Sequence, residues 1–399
     1  MARLGDVFEC QITGEWGNEC SENEIGTKVL RTTNFTPEGI INYDDVVIRS
    51  INETKVEKKR LRYGDIILEK SGGTEKTPVG RVVFCDESIE KGIYLCNNFT
   101  QAMRVNQDIA IPRYVFYVMW NLHYSGRTDL LQNKTTGIRN LQVKSYLNEN
   151  CPIPPLDEQR KIAAVLDKVS DLIAKRRQQL DKLDELVKAK FVEMFGDPVS
   201  NPKGWQLVPL GECVTTIDNG KSFVCSNETR KNEWPAILKL SAVTYGEYNS
   251  NENKALLDSS QFIENAEVHS GDLLFTRKNT PELVGMAAYV YSSPAKLMMP
   301  DLIFRLNTKD NCSKIFLWQL INHELFRKNI QNIASGSAKS MSNISKERLM
   351  QLVIYLPPIK LQNHFAAFVE QTEKTKTTIS KSLEKLETLK KALMQECFG

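Results

Sequence analysis

The chain of 399 residues repeats one long segment at a constant offset of 203 residues. Residues 154–196 begin with two prolines and end in Phe-Gly, and residues 357–399 do the same. The two copies also share a glutamine, an alanine pair and three leucines: Gln159 and Gln362, Ala163 with Ala164 and Ala366 with Ala367, and Leu180, Leu183, Leu186 and Leu383, Leu386, Leu389. A long repeat of fixed period marks a duplicated unit, here a domain of about 155 residues followed by a segment of about 40.

The repeated segment is predicted to be a long helix. In the first copy, apolar residues recur every three or four positions, at Ile162, Leu166, Val169, Ile173, Leu180, Leu183, Val187 and Met194. A narrow apolar stripe surrounded by mixed charges is typical of a helix that packs against one other helix. From Leu156 to Phe195 such a helix would be about 60 Å long, which favours a role as a spacer paired with the second copy. Thr372 and Lys376 interrupt the stripe of the second copy, which predicts looser pairing there.

The two stretches before these helices are predicted to be α+β domains with a β-rich core. In the first, short apolar runs at residues 46–48, 65–68 and 79–85 alternate with Gly, Asn, Asp and Thr clusters, and residues 114–122 read as a buried helix. Residues 197–355 repeat the plan. Shared anchors include Gly64 and Asp65 with Gly271 and Asp272, Val79 and Gly80 with Val284 and Gly285, and Asn140 with Asn343. The loops between the anchors differ, which suggests that the two domains recognise different targets.

Composition sets weaker limits. The hydrophobic content of 41% suffices for two or three cores, and the net charge of +3 is too small to predict a polyanionic partner by itself. The nine cysteines form no CxxC pair, so neither a zinc site nor a disulfide framework is indicated. No signal peptide and no apolar run near 18 residues is visible, so we expect a cytoplasmic protein without a membrane partner.

The helical segments resemble a known family. The opening PIPPLDEQRKIAAVLDK, the Lys- and Leu-rich helix and the exit FVEMFGDP are similar to the central region of the specificity (S) subunit of type I restriction-modification enzymes. The resemblance implies target recognition domains at residues 1–153 and 197–356, and antiparallel coiled-coil spacer helices at residues 154–196 and 357–399. It also implies double-stranded DNA, two DNA methyltransferase subunits and restriction/translocase subunits as partners. S-adenosylmethionine, magnesium and ATP would then belong to those subunits, so no cofactor is expected here.

Candidate DNA-binding residues lie in loops that correspond between the two domains. Gly14 corresponds to Gly220, Arg31 to Lys239, and Lys70 to Arg277. Basic side chains pair with phosphates and guanine, and asparagine pairs with adenine. Solvated turns are the competing interpretation of these loops. The complete set of candidates is Arg31, Lys58, Lys59, Lys70, Ser71, Lys134, Arg139, Lys221, Ser222, Lys239, Arg277, Lys278, Asn279 and Lys339.

Catalytic motifs were sought and are not predicted. The Gly-Lys-Ser at residues 220–222 lacks the upstream glycine of a phosphate loop, because Thr215 stands there. Asp45, Glu53 and Lys55 imitate a nuclease triad only loosely, and the four histidines lack partners at ligand spacing. We therefore expect a non-catalytic DNA-reading scaffold. Two alternatives stay open: a coiled-coil protein interaction scaffold, and the specificity part of a single-chain restriction-modification enzyme.

Overall fold

The computed structural model describes residues 1–21, 25–135, 137–335 and 341–399, without the side chains of residues 134 and 135. The chain divides into two compact units, and each contains parts of both long helices. Unit 1 comprises residues 1–177 and 381–399, and unit 2 comprises residues 178–380. Each unit therefore consists of one predicted domain together with half of each spacer helix.

Unit 1 is built around a four-stranded antiparallel sheet. Its strands, in spatial order, are β2 (Phe8–Thr13), β9 (Thr100–Val105), β5 (Ile66–Glu69) and β7 (Val82–Phe84). The central strand β5 is buried along its whole length, as its Ile-Ile-Leu sequence predicts. The strands of this domain are β1 (Ala2–Arg3), β2 (Phe8–Thr13), β3 (Thr27–Leu30), β4 (Val47–Arg49), β5 (Ile66–Glu69), β6 (Ser71–Gly73), β7 (Val82–Phe84), β8 (Tyr94–Cys96), β9 (Thr100–Val105), β10 (Gln132–Thr135), β11 (Ile138–Leu141) and β12 (Asn150–Cys151). Its helices are α1 (Glu53–Lys59), α2 (Pro112–Tyr124) and α3 (Val143–Leu147).

The long helix α4 (Leu156–Phe195) leads into the second domain. The strands of that domain are β13 (Gln206–Pro209), β14 (Val214–Asn219), β15 (Ala236–Leu238), β16 (Asn253–Ala255), β17 (Leu273–Thr276), β18 (Lys278–Asn279), β19 (Ala287–Tyr289), β20 (Leu297–Met298), β21 (Ile303–Thr308), β22 (Ser342–Asn343) and β23 (Val353–Leu356). Its helices are α5 (Ser241–Thr244), α6 (Lys314–Asn322), α7 (Arg327–Asn332) and α8 (Lys346–Met350), and α9 (Ile359–Phe398) ends the chain.

The second domain repeats the strand pairing of the first. The order β14-β21-β17-β19 corresponds to β2-β9-β5-β7, and β16-β15-β20 corresponds to β4-β3-β8. The only parallel pairs among the described strands, β3 with β8 and β15 with β20, fall at corresponding places. The predicted duplication of an α+β domain is therefore confirmed. The predicted buried helix is also confirmed, because α2 begins at Pro112 and its central residues are buried.

The two long helices run antiparallel within each unit. In unit 1, Ala163 and Leu166 of α4 share a core with Met394 near the end of α9. In unit 2, the ring of Phe191 near the end of α4 lies 5.5 Å from the ring of Phe365 near the start of α9. The predicted stripe is buried or half-buried throughout. Sequence analysis left Phe191 out of the stripe, although that side chain is 1% exposed and packs against both α9 and the domain.

Buried glutamines join each long helix to its domain. The Gln159 side chain accepts a hydrogen bond from Ile111 N, at the start of α2, and donates to Ile109 O and Pro154 O. Gln362 repeats this arrangement with Ser313 N at the start of α6, and with Asn311 O and Pro357 O. Both glutamines are completely buried. Because a helix start leaves backbone N–H groups without intrahelical partners, each glutamine supplies one of the missing acceptors.

Candidate functional site

The candidate site of each domain lies where the chain leaves its central strand. After β5 the chain continues into β6, which pairs with β11, and after β17 it continues into β18, which pairs with β22. The same backbone hydrogen bond anchors both places: Leu141 N donates to Lys70 O, and Ile344 N donates to Arg277 O, each at 2.8 Å. The structure therefore places Lys70 and Arg277 equivalently, as the sequence predicts.

In the first domain, this site presents neutral polar groups beside a lysine. The Ser71 hydroxyl donates to Asn140 Oδ1, and the Lys70 side chain is half-buried. Arg139 lies on β11 opposite Gly73, close to the same crossing. Lys134 lies on β10, but its side chain is outside the described part of the structure.

In the second domain, the same place holds an arginine fixed by an asparagine. Arg277 Nε and Nη2 donate to Asn343 Oδ1 at 3.3 and 3.2 Å, and its guanidinium lies 5.0 Å from the centre of the Phe304 ring. Lys346 Nζ lies 5.8 Å from the centre of that ring. Two cations thus lie near one aromatic ring, which attracts both of them.

The neighbours of Arg277 differ in their access to solvent. Lys278 is half-buried on β18, opposite Asn343. Asn279 is buried, and its amide donates to Thr244 Oγ1 at 3.0 Å while its carbonyl accepts from Thr280 N. The Asn279 side chain therefore faces the protein rather than a base edge. Lys339 lies outside the residues that the structure describes.

The predicted glycines serve the crossing of chain segments. A Cβ atom on Gly14 would lie 1.7 Å from Asn97 O, and one on Gly220 would lie 1.9 Å from Met299 O. Both glycines therefore allow the end of one strand to pass close to another backbone segment. They do not serve the close approach of a phosphate. Beside Gly220, Lys221 is exposed with its Nζ 5.1 Å from the centre of the Phe223 ring, and the Ser222 hydroxyl donates to Asp301.

Carboxylates already engage several of the predicted basic residues. Arg31 donates to Asp45 Oδ2 at 2.7 Å, and Lys239 lies 3.6 Å from Glu252. Lys59 donates to Glu15 at 2.9 Å, and this hydrogen bond is the largest cause that lowers the pKa of the Glu15 carboxyl. Lys58, on the same helix, is exposed.

Sequence analysis missed two basic residues of the second domain. An open cavity of about 710 Å³ is lined by Lys221 and also by Arg305 and Lys346. Arg305 donates to the buried Asp272 at 3.1 Å, and Arg104 pairs with Asp65 in the same way at 2.7 Å in the first domain. The Gly-Asp sequence that occurs at equivalent places in both domains was the sequence feature that could have indicated these Arg–Asp ion pairs. Lys346 gave no signal, because its counterpart in the first domain is Val143.

Among the residues that the structure describes, no group of three or more His, Cys, Asp or Glu side chains is arranged to hold a metal ion. Within the described ranges, no helix is both long enough and apolar enough to span a membrane.

Known proteins resemble both the sequence and the fold. The family described as "Type I restriction modification DNA specificity domain" matches residues 1–185 and 202–390. The EcoEI specificity subunit of Escherichia coli is 33% identical over 204 residues, which cover 50% of this chain and 34% of that protein. The EcoKI specificity subunit of Escherichia coli K12 is 23% identical over 394 residues, covering 93% of this chain and 81% of that protein.

Two solved structures have the same fold. The S subunit of a type I restriction-modification system from M. genitalium superposes with a TM-score of 0.62 at 12% identity, covering 100% of this chain and 95% of that one. A second structure, whose title concerns complex assembly and conformational transition of the type I R-M system, superposes with a TM-score of 0.53 at 16% identity. The superposition covers 99% of this chain and 96% of that one. The α+β architecture with two domains and two long helices is thus shared with S subunits.

Proposed function

The chain belongs to the type I restriction modification DNA specificity family, and from this premise we propose that it is the DNA-reading subunit of a type I restriction-modification complex. Each recognition domain, residues 1–153 and residues 197–356, binds one half of a bipartite target in double-stranded DNA. The helices within residues 154–196 and 357–399 set the spacing between the halves and dock the methyltransferase subunits.

One observation carries this proposal: the same strand crossing occurs twice, with different side chains at the equivalent positions. The first domain offers Lys70 and a Ser71–Asn140 pair, and the second offers Arg277 held by Asn343. Hydrogen-bonding groups determine which base edge a site accepts, because each base pair presents its own pattern in the major groove. A shared scaffold with different groups therefore suits two different half-sites on one DNA molecule.

We further propose that the chain has no catalytic activity of its own. Methyl transfer belongs to two DNA methyltransferase subunits, and cleavage belongs to restriction/translocase subunits, all acting in the cytoplasm. Support comes from relatives named as specificity subunits and from the similar structure whose title concerns complex assembly. The absence of a recognisable methyl-donor or nucleotide motif in the sequence agrees with this assignment.

Incubation with duplex DNA and labelled S-adenosylmethionine tests the assignment. The purified full-length chain should incorporate no label alone, and label should appear when a DNA methyltransferase subunit of the proposed complex is added. The added subunit without this chain is the control, and it should also give no target-specific label. Incorporation by this chain alone would contradict the proposal.

A further inference from the structure

In unit 1, a cation on one long helix contacts both the other helix and the domain. Arg177 of α4 donates to Glu387 of α9 at 2.8 Å. Its other terminal nitrogen donates to Glu38, which lies on the connection between β3 and β4. One guanidinium thus joins three separate elements. These contacts raise the pKa of the Arg177 guanidinium, chiefly through the bond to Glu387.

Unit 2 contains the same arrangement on the opposite helix. Lys376 of α9 lies 2.7 Å from Asp184 of α4 and 3.3 Å from Glu247, which is on the connection between β15 and β16. It also lies 3.1 Å from Glu373, one turn before it on α9. Lys376 is one of the two residues that interrupt the apolar stripe. At its position, a cluster of ion pairs replaces apolar contact.

The repeat relates the acidic partners but not the cations. Asp184 and Glu387 occupy equivalent positions of the two helices, and Glu38 and Glu247 lie on equivalent connections of the two domains. Arg177 has Ser380 as its counterpart, whereas Lys376 has Ile173, one helical turn before Arg177. Both units therefore reach the same three-way contact with a cation placed at a different position. Simple inheritance of one side chain from the duplication does not account for this.

Such contacts restrict rotation more than apolar contacts do. An apolar stripe can slide or roll slightly while it stays buried, whereas a hydrogen-bonded ion pair is satisfied only near one geometry. The Lys376 side chain is 14% exposed. Burial acts to lower its pKa, but the bond to Asp184 and the charges of Glu373 and Glu247 raise the pKa above its usual value. Removing this cation would leave three carboxylates facing one another.

We propose that Arg177 and Lys376 are positioning residues that fix the orientation of each recognition domain on the helix pair, and thereby the DNA spacer that the protein accepts. This inference rests on the proposed function. Neither residue needs to contact DNA. Their effect reaches the target through the acidic groups of the domain loops, Glu38 and Glu247, and through the helix partners Glu387 and Asp184.

Selection from a DNA library with constant half-sites and a variable spacer tests the proposal on the full-length chain. Lys376→Met and Arg177→Met should each reduce the preference for the best spacer over its neighbours by about five- to tenfold, because the first removes three contacts with carboxylates and the second removes two. Affinity for either half-site alone should not change. Lys376→Arg should restore the preference, because it keeps the charge. Arg160→Met is the matched control, since within the described ranges Arg160 forms its ion pair with Asp157 on its own helix.

A second pair of variants guards against failure to fold. Glu38→Gln, at a half-buried loop position, and Glu247→Gln, at an exposed one, keep the side-chain shape and remove only the charge that faces the cation. They should broaden the accepted spacers in the same way. A spacer preference unchanged in all four variants would overturn the proposal while leaving the proposed function intact. A wild-type chain that binds each half-site but shows no spacer preference would overturn the proposal as well. Failure of the wild-type chain to bind either half-site would instead overturn the proposed function, and the positioning proposal with it.

Discussion

Basic side chains at the candidate sites differ in how far carboxylates of the protein already neutralise them. Arg31 and Lys59 form close ion pairs, whereas Lys70 is half-buried beside Ser71 and Arg277 is held by a neutral asparagine. The charge of a cation that is hydrogen-bonded to a neutral group is not balanced by that group, so it can form a charge-assisted hydrogen bond with an anionic ligand. Sequence reasoning placed Lys70 and Arg277 correctly as equivalents. It could not foresee the ion pairs, because Glu15 and Lys59 are brought together only by the fold.

Lys70→Ala and Arg277→Ala should weaken DNA binding through separate halves of the target. A residue that reads a base should lose about 1–3 kcal/mol for its own half-site, whereas a phosphate contact should weaken all sequences alike and lower the salt slope by about one. Titrations with targets altered in one half at a time separate these results. Lys91→Ala is the control for an exposed lysine outside the candidate set. Unchanged affinity in both variants would favour solvated turns.

His323 should make the stability of the second domain depend on pH. Burial lowers its pKa, with Lys188 acting in the same direction and Glu324 and Asp197 opposing, and its buried Nδ1 has no hydrogen-bond partner among the residues that the structure describes. The unfolded chain therefore takes up this proton more readily, with a pKa of about 6.5. Stability should fall as the pH drops below that value, until the lowered folded-state pKa is passed.

Thermal unfolding between pH 7.5 and pH 5.5, on the order of one unit either side of the free histidine pKa, tests this. His323→Gln should lose less stability on acidification than the wild type, and the exposed His364→Gln should behave like the wild type. Equal pH dependence in all three proteins would mean that His323 binds its proton as freely as in the unfolded chain.

At the scale of elements, the long helices were the most predictable part. Their apolar period predicted their length and their pairing with each other, because a narrow stripe is buried by one partner helix. The antiparallel direction was implied by the family resemblance. The role of the repeated glutamines was not predicted. A glutamine next to a proline pair gives no sign that its amide reaches backbone groups about 50 residues away in sequence, as Gln159 does with Ile109.

Gln362→Leu should destabilise the second domain by about 1–3 kcal/mol, because it leaves buried backbone groups at Ser313, Asn311 and Pro357 without partners. Denaturant unfolding measures the loss. Gln371→Leu, at an exposed position of the same helix, is the matched control and should change stability by no more than about 0.5 kcal/mol. A similar effect at both positions would show that Gln362 acts only through helix propensity.

The spacer role of the helices leads to a separate expectation. Four residues inserted after Leu180, and the same four after its equivalent Leu383, should lengthen the helix pair by about 6 Å while nearly preserving the rotation of the stripe. The selected DNA spacer should then change by about one or two base pairs at 3.4 Å per step. Insertion after Leu180 alone should blur the preference, because the stripes no longer match. An unaltered DNA spacer in the double-insertion variant would mean that the length of the helices does not determine the spacer.

At the scale of the whole molecule, the duplication was readable because the helical segments kept their residues. The domain scaffolds were recognisable only at anchors such as Gly64 with Asp65, since strands tolerate many apolar substitutions. The loops diverged. There the sequence predicted the equivalence of Lys70 and Arg277, which the structure shows, but not the burial of Asn279; DNA binding by these residues stays a prediction. Sequence reasoning also missed Lys346, whose position opposite Phe304 depends on the pairing of β22 with β18.

The central claim is that two different domains read two different half-sites at one fixed separation. Sequencing of DNA bound by the full-length chain from a random duplex library tests it most directly. The bound DNA should contain two short constant blocks separated by a gap of constant length and random sequence. Lys70→Ala and Arg277→Ala should each degrade a different block. A single continuous block, two blocks at variable separation, or no enrichment over random DNA would contradict it.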